Sequence, residues 1–231
     1  MTRMKLLDLF CKAGGCSMGY NRAGFEVEGV DIEQQPNYPF KFTQMDAIEY
    51  LQSQDLSRFD AIHASPPCQR NSRLKRLSNA RNGSYKAEKW PDLIKPVREL
   101  LDQIGKPYVI ENVEGAPMSN TITLCGSMFG LKVYRHRLFE SNIYLWQPDH
   151  VPHNDTTPSA GGGVSPKGFI SVCGTGGVKG FNAQGVVDYW SKAMGIDWMN
   201  RAELAQAIPP AYTEYIGEQL KEYIKKIKQI A

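Results

Sequence analysis

The feature that most limits how this chain can fold is the order in which short apolar runs alternate with helical patterns. Lys5 to Phe10 reads as a buried strand. A Gly-rich turn follows through Gly14 and Gly15, and Ser17 toward Ala23 reads as a short helix. Phe25 to Ile32 reads as a second strand with Asp31 near its end, and Phe59 to Ala64 as another that delivers Pro66, Pro67 and Cys68. Leu93 to Ile104 has a helical pattern, and Tyr108 to Asn112 is a strand carrying Glu111 at its end. Strands that alternate with helices must connect by crossovers, which implies an α/β fold with a doubly wound, mostly parallel sheet. In such sheets chemistry collects outside the carboxyl ends of the strands. The Gly-rich turn, Asp31, Cys68 and Glu111 are therefore expected at one edge.

The 231 residues suit one well-buried domain with an appendage. A hydrophobic fraction of 42% with 22% charged residues excludes a disordered or fibrous chain. No apolar run approaches a membrane span, and Met1 to Phe10 is interrupted by Asp8, so it makes a poor signal peptide. A cytoplasmic protein with no membrane partner is expected. The five cysteines, Cys11, Cys16, Cys68, Cys125 and Cys173, show no CxxC spacing, which favours reduced thiols over a disulfide framework or a zinc ribbon. His150 and His153 have metal-ligand spacing, but no cysteine or acid is placed to complete a site with them, so no metal is expected. The oligomeric state is not legible, with a monomer the working expectation.

The net charge of +3 names no partner, yet its distribution is uneven. Arg70, Arg73, Lys75, Arg76, Arg81, Lys86 and Lys89 face a single acid, Glu88. That run is either a phosphate-binding loop or a solvated basic face. From about Ser141 to Asn182 the pattern dissolves into Pro, Gly, Asn, Thr and His, as expected of a small loop-rich insertion. Helical periodicity returns at Val186 to Met194 and from Tyr212 onward, where Ile216, Leu220, Tyr223, Ile227 and Ile230 form an apolar stripe suited to core packing.

Within this frame, Ser65-Pro66-Pro67-Cys68-Gln69 is the most unusual stretch. Two prolines fix φ and remove two N–H donors, giving a rigid pedestal. A thiol on it is either a nucleophile held in one geometry or an inert small hydrophobe in a turn. Glu111 at a neighbouring strand end would place a carboxyl near that thiol, which permits covalent plus acid chemistry. Arg135 and Arg137, spaced to face one side of a strand, would lower the thiol's pKa or hold an anion. His63, inside an apolar strand, reads as a satisfied core residue.

Taken in order, these residues resemble the cytosine-C5 DNA methyltransferase family over nearly the whole chain. Asp8-Leu9-Phe10 with Gly14-Gly15 resembles its first cofactor motif, Asp31 its ribose-binding acid and Asp46 its adenine-contacting acid. Ser65-Pro66-Pro67-Cys68-Gln69 matches its catalytic motif, Glu111-Asn112-Val113 its acid motif, and Arg135-His136-Arg137 its paired-arginine motif. Ile208-Pro209-Pro210 before an amphipathic helix resembles its last motif, which returns to close the cofactor pocket. Lys12 stands where the family usually has glycine, Val133 where it has glutamine, and Gln206 where it often has asparagine.

The resemblance implies a class I, Rossmann-like fold that uses S-adenosyl-L-methionine. Residues 1–140 and 183–231 would form the catalytic domain, with 141–182 a small target-recognition insertion. The cofactor pocket would draw on Phe10, Lys12, Gly14, Gly15, Cys16, Asp31, Ile32, Asp46, Ala47, Pro66, Gln206 and Ile208. Pro67, Gln69, Ser72, Arg73, Asn112 and Val113 would hold the substrate, and Cys68, Glu111, Arg135 and Arg137 would be catalytic. The implied reaction methylates C5 of a cytosine flipped out of DNA, after Cys68 adds to C6. A transfer-RNA substrate is the near alternative, since one branch of the family acts on transfer RNA. A non-catalytic nucleic-acid-binding relative is the distant one. So small a recognition module implies a short target of about two to four base pairs.

Overall fold

The computed structural model describes residues 3–67, 92–153, 165, 167–172 and 182–230. Cys68, Gln69, Ser72, Arg73 and the rest of the basic run through Lys89 lie outside the described residues.

A seven-stranded sheet organises the chain, with spatial order β3-β2-β1-β4-β5-β7-β6. Its strands are β1 (Lys5–Leu9), β2 (Glu26–Asp31), β3 (Lys41–Gln44), β4 (Ala61–Ala64), β5 (Tyr108–Asn112), β6 (Ile122–Leu124) and β7 (Arg137–Ser141). The first five pair in parallel, and β7 runs antiparallel between β5 and β6. Strand order reverses about β1 and β4, so the crevice at their carboxyl ends is the natural ligand site of an open α/β sheet. The expected doubly wound, mostly parallel architecture is thus present.

The described helices are α1 (Gly15–Arg22), α2 (Ala47–Ser53), α3 (Ile94–Ile104), α4 (Ala183–Met194), α5 (Arg201–Gln206) and α6 (Pro210–Ile230). Individual helix ends are set by identifiable residues. The Asp46 carboxylate accepts the Ile48 and Glu49 N–H groups to start α2. Asn200 and Glu203 form a capping box on α5. Gly105, at φ 70°, stops α3 where a side chain would be strained.

The two faces of the sheet bury separate clusters. One holds Leu6, Tyr20, Phe25, Val109, Phe139, Tyr212 and Ile216, and the other Leu7, Leu9, Val30, Phe59, Ile62, Val97 and Ile110. Of the stripe on α6, Ile216 and Leu220 enter the first cluster beside Ile224, whereas Tyr223, Ile227 and Ile230 are exposed, so the expectation of core packing holds only for its first half. Helices α1 and α6 approach closely because the contact positions are glycines. A Cβ on Gly19 would fall 2.1 Å from the Pro210 carbonyl oxygen, and one on Gly217 2.7 Å from Ala23 Cβ.

A third cluster gathers Val133, Ile170, Val172, Val186, Trp190, Met194 and Leu204, together with Ala13 of the Gly-rich turn. Helix α4 therefore packs with the described part of the loop-rich segment, although it begins after that segment ends. At the other end, Ser141 is still paired with Val109, and Ile143 and Leu145 remain buried in the first sheet cluster. The sheet body thus continues past residue 140. Arg135 also departs from expectation, since it precedes β7 instead of sharing a strand face with Arg137.

Candidate active site

At the carboxyl edge, β1 ends at Leu9 and the chain turns through left-handed backbone at Phe10 (φ 59°), Lys12 (φ 44°) and Gly14 (φ 84°) before α1 begins. Three such residues in five wind the loop tightly. The start of α1 is left without a side-chain cap, so its first N–H groups can face a ligand anion. A Cβ on Gly15 would lie 2.5 Å from the carbonyl oxygen of Ile208, so the segment before α6 is seated directly on this turn. Trp198 adds a second clasp by donating from Nε1 to the Ala13 carbonyl at 2.8 Å.

Asp31, 3% exposed at the end of β2, accepts the Lys12 N–H at 3.1 Å and the Glu33 N–H at 3.0 Å. The Lys12 ammonium lies 3.6 Å from the same carboxylate and 2.8 Å from Glu33. Ile32 beside it is 63% exposed, an apolar surface standing where a flat ring could rest. Asp46 spends one oxygen on capping α2 and keeps the other, with Ala47 buried behind it. Carboxylate acceptors, an exposed apolar shelf and an uncapped helix start make a donor set that fits the ribose, adenine and carboxylate of S-adenosylmethionine. Gln206, by contrast, is exposed at the end of α5.

On β4 and β5 a buried polar network leads to Glu111. The Tyr20 hydroxyl meets His63 Nδ1 at 2.9 Å, and His63 Nε2 meets the Ser65 hydroxyl at 2.9 Å. With both nitrogens engaged and burial holding its pKa down at about 3, His63 is the satisfied core residue its strand position suggested. Burial also raises the Glu111 carboxyl above its ordinary range, against the opposing pull of Arg137, Ser65 and Arg135. Arg137 Nε lies 3.1 Å from Glu111 Oε1. Asn112, 1% exposed, donates from its amide to the Pro66 carbonyl at 2.9 Å, while its own oxygen accepts the Val113 N–H at 3.0 Å. The acid strand thereby grips the start of the Pro66-Pro67 pedestal.

The paired arginines divide their work. Arg137 reaches Glu111, whereas Arg135 donates to the carbonyls of Val172 at 2.7 Å and Ala205 at 2.8 Å, tying the loop-rich segment to α5. Of the thiols near the pocket, Cys11 and Cys16 are buried and pushed up by desolvation, which leaves them inert at neutral pH.

Several contributors were given no role of their own from the sequence. Asp8, 1% exposed, accepts a short hydrogen bond from the Ser17 hydroxyl and is pushed up to about 7, chiefly by burial. Tyr38 bonds Ser17 from the far side at 2.8 Å. Asn37 reaches Glu203 at 3.0 Å, bridging the loop after β2 to α5. Asp8 and Ser65 lie inside recognisable motifs and Ser17 beside one, whereas Tyr38 and Asn37 offered no hint.

A further grouping corrects the reading of His150 and His153. Cys125 and His136, brought from β6 and the entry to β7, stand beside them, and one ligand atom from each of the four lies within 4.8 Å of all the others. Partners that were missing in sequence are supplied by the β6–β7 edge.

The family described as C-5 cytosine-specific DNA methylase matches residues 4–123. The Type II methyltransferase M.FnuDI of Fusobacterium nucleatum is 33% identical over 119 residues, covering 48% of this chain and 33% of that protein. The Type II methyltransferase M.AgeI of Thalassovita gelatinovora is 28% identical over 183 residues, covering 64% of this chain and 43% of that protein. The chain thus spans less than half the length of these relatives. In shape it is similar to a protein described as a DNA modification methyltransferase encoded within an E. coli prophage, with TM-score 0.62, 15% identity, and 96% and 99% of the two chains covered. The S. pombe Dnmt2 methyltransferase gives TM-score 0.59 at 13% identity, with 96% and 99% covered. At these identities the likeness establishes the fold alone, the one these methyltransferases share.

Proposed function

The chain belongs to the C-5 cytosine-specific DNA methylase family, and from that premise we propose that it methylates C5 of a cytosine in DNA through a covalent bond to Cys68. The observation that carries this reading is the Glu111 carboxyl, buried, raised in pKa and oriented by Arg137 next to the Pro66-Pro67 pedestal. Cytosine C5 is too weak a nucleophile to be methylated directly. The Cys68 thiolate adds to C6, forming the C–S bond, and the displaced π pair makes C5 an enamine carbon as Glu111 gives its proton to N3. S-adenosylmethionine, when bound, supplies the electrophilic methyl group. A base then removes the C5 proton, the C–S pair returns to sulfur, and Glu111 recovers its proton from N3.

The other residues hold these parts in place. Asp31 would accept the ribose hydroxyls, Ile32 and Phe10 would flank the adenine, and the free oxygen of Asp46 would take its amino group. Asn112 holds the Pro66 carbonyl, two residues before Cys68 in sequence, while burial keeps Cys11 and Cys16 from competing as nucleophiles. Segment 141–182 is assigned to target choice and the basic run Arg70 to Lys89 to the phosphates vacated by a flipped base.

The test is covalent trapping on DNA containing 5-fluorocytosine, with methyl transfer to duplex DNA and to transfer RNA measured in parallel. Wild type should trap and methylate DNA, and Cys68→Ser should do neither while still binding S-adenosylmethionine. Glu111→Gln should lower turnover by about two to four orders of magnitude. Trapping by Cys68→Ser, or transfer to RNA alone, would overturn the assignment.

A further inference from the structure

We propose that Cys125, His136, His150 and His153 form a closed structural zinc site at the edge of the sheet. The inference rests on geometry and does not depend on the reaction. Cys125 is fully buried at the end of β6, and the three histidines are half-buried around it. A tetrahedral zinc ion with Zn–S near 2.3 Å and Zn–N near 2.0 to 2.1 Å sets S···N edges of about 3.6 Å and N···N edges of about 3.3 Å. Cys125 Sγ to His153 Nε2 is 3.5 Å, and His136 Nε2 to His150 Nε2 is 3.5 Å. Two opposite edges of the tetrahedron are therefore already at their metal-bound lengths. The remaining edges lie within 4.8 Å and close with small side-chain movements.

The three imidazole rings pack against one another with centroids 5.0 to 5.2 Å apart. His136 and His153 are nearly parallel at 14°, and His150 stands at 89° to both. Tyr134 stacks on His153 at 3.7 Å, and Phe169 stacks on Tyr134 at 3.9 Å, so the ring that meets the sulfur is held by an aromatic column. The Ser127 hydroxyl lies 3.1 Å from Cys125 Sγ, placed to donate to a thiolate as an outer-shell partner does. One thiolate and three neutral imidazoles fill four positions, the arrangement of a structural and not a catalytic zinc site. The ion would fasten the segment carrying His150 and His153 to the β6–β7 edge. Because His136 lies between Arg135 and Arg137, it would also fix the backbone from which Arg137 reaches Glu111 and Arg135 reaches Val172 and Ala205.

The experiment uses the full chain, purified without chelator, and reads its zinc content by mass spectrometry. The zinc is then removed and cobalt(II) titrated in, because tetrahedral cobalt gives intense visible bands and a thiolate ligand adds a near-ultraviolet charge-transfer band. Stoichiometric zinc, both cobalt signatures, and loss of the charge-transfer band in Cys125→Ser are expected. Should Cys125→Ser fail to fold, His150→Ala and His153→Ala carry the test. Each should weaken cobalt binding by more than about 100-fold, the upper end of what losing an outer-shell partner costs. Absence of zinc together with no tetrahedral cobalt spectrum, or unchanged binding in the histidine variants, would overturn the proposal. So would a charge-transfer band that persists in a folded Cys125→Ser.

Discussion

Replacing Asp8 with asparagine tests whether the polar layer beneath the pocket is organised around a retained proton. Asp8 is buried on β1, its carboxyl raised from the ordinary 3.8 to about 7, first by burial and then by Asp31 and Glu111 against the pull of Ser17. A group that holds its proton more tightly in the fold lends stability that is complete below about 3.8 and is lost as pH rises through about 7. The whole shift corresponds to roughly 4 kcal/mol, of which roughly 2 to 3 kcal/mol falls between about pH 5 and about pH 8. His63 works in the opposite sense. It lends stability that is present above 6.5 and lost as pH falls toward about 3. The wild-type profile therefore mixes two slopes, and the informative quantity is the difference between Asp8→Asn and wild type. Asparagine retains an oxygen for the Ser17 hydroxyl and never ionises. At about 2 to 4 °C per kcal/mol for a chain of this length, the variant should gain about 5 to 10 °C in Tm over wild type between about pH 5 and about pH 8. Thermal unfolding followed by circular dichroism reads this directly. A difference in Tm that does not change with pH would refute the argument that Asp8 is protonated in the fold.

Asn112→Ala leaves the Pro66 carbonyl without its buried partner, which should cost about 1 to 3 kcal/mol of stability in urea unfolding and lower turnover more than S-adenosylmethionine affinity. Lys12→Gly removes a left-handed lysine and frees Asp31 from its cation. Calorimetry should show cofactor binding unchanged or tighter, and a marked loss would mean that Lys12 itself holds the cofactor. Arg135→Ala deletes the bonds to Val172 and Ala205, so hydrogen exchange should accelerate in residues 167–172 and in α5 while β1 and β4 keep their protection.

Strands β1, β2, β4 and β5 were legible because each is an apolar run bounded by turn residues and buried in a parallel sheet, where no alternation is needed. Strands β3 and β6 were not, and β7 was foreseen only as a strand carrying Arg135 and Arg137. Lys41–Gln44 and Ile122–Leu124 are too brief for periodicity, and their pairing is decided by neighbours elsewhere in the chain. The site follows the same rule. Asp31, Glu111 and Asn112 could be read because strand ends announce themselves, whereas the division of labour between Arg135 and Arg137 depends on where Val172 and Ala205 arrive. The four-residue Cys–His grouping lay hidden for the same reason, since Cys125 and His153 are 28 positions apart in sequence.

Charge at the carboxyl edge ties these observations together. Asp8, Asp31 and Glu111 stand at or near the ends of three strands, and Asp31 and Glu111 each raise the proton affinity of Asp8. Two of the three have a cation to hold, Asp31 the Lys12 ammonium and Glu111 the Arg137 guanidinium. Asp8 has a hydroxyl from Ser17 and otherwise burial, and in a low-dielectric layer with no cation beside it the carboxyl is raised to about 7. Lys12, the residue that departs from a glycine position, thus does more than strain the turn. By screening Asp31 it limits how far Asp8 is raised, and its replacement by glycine should move the Asp8 transition to higher pH. The strain at φ 44° and the ion pair with Asp31 are two consequences of one substitution, the first unfavourable to folding and the second favourable to holding three acids within one site.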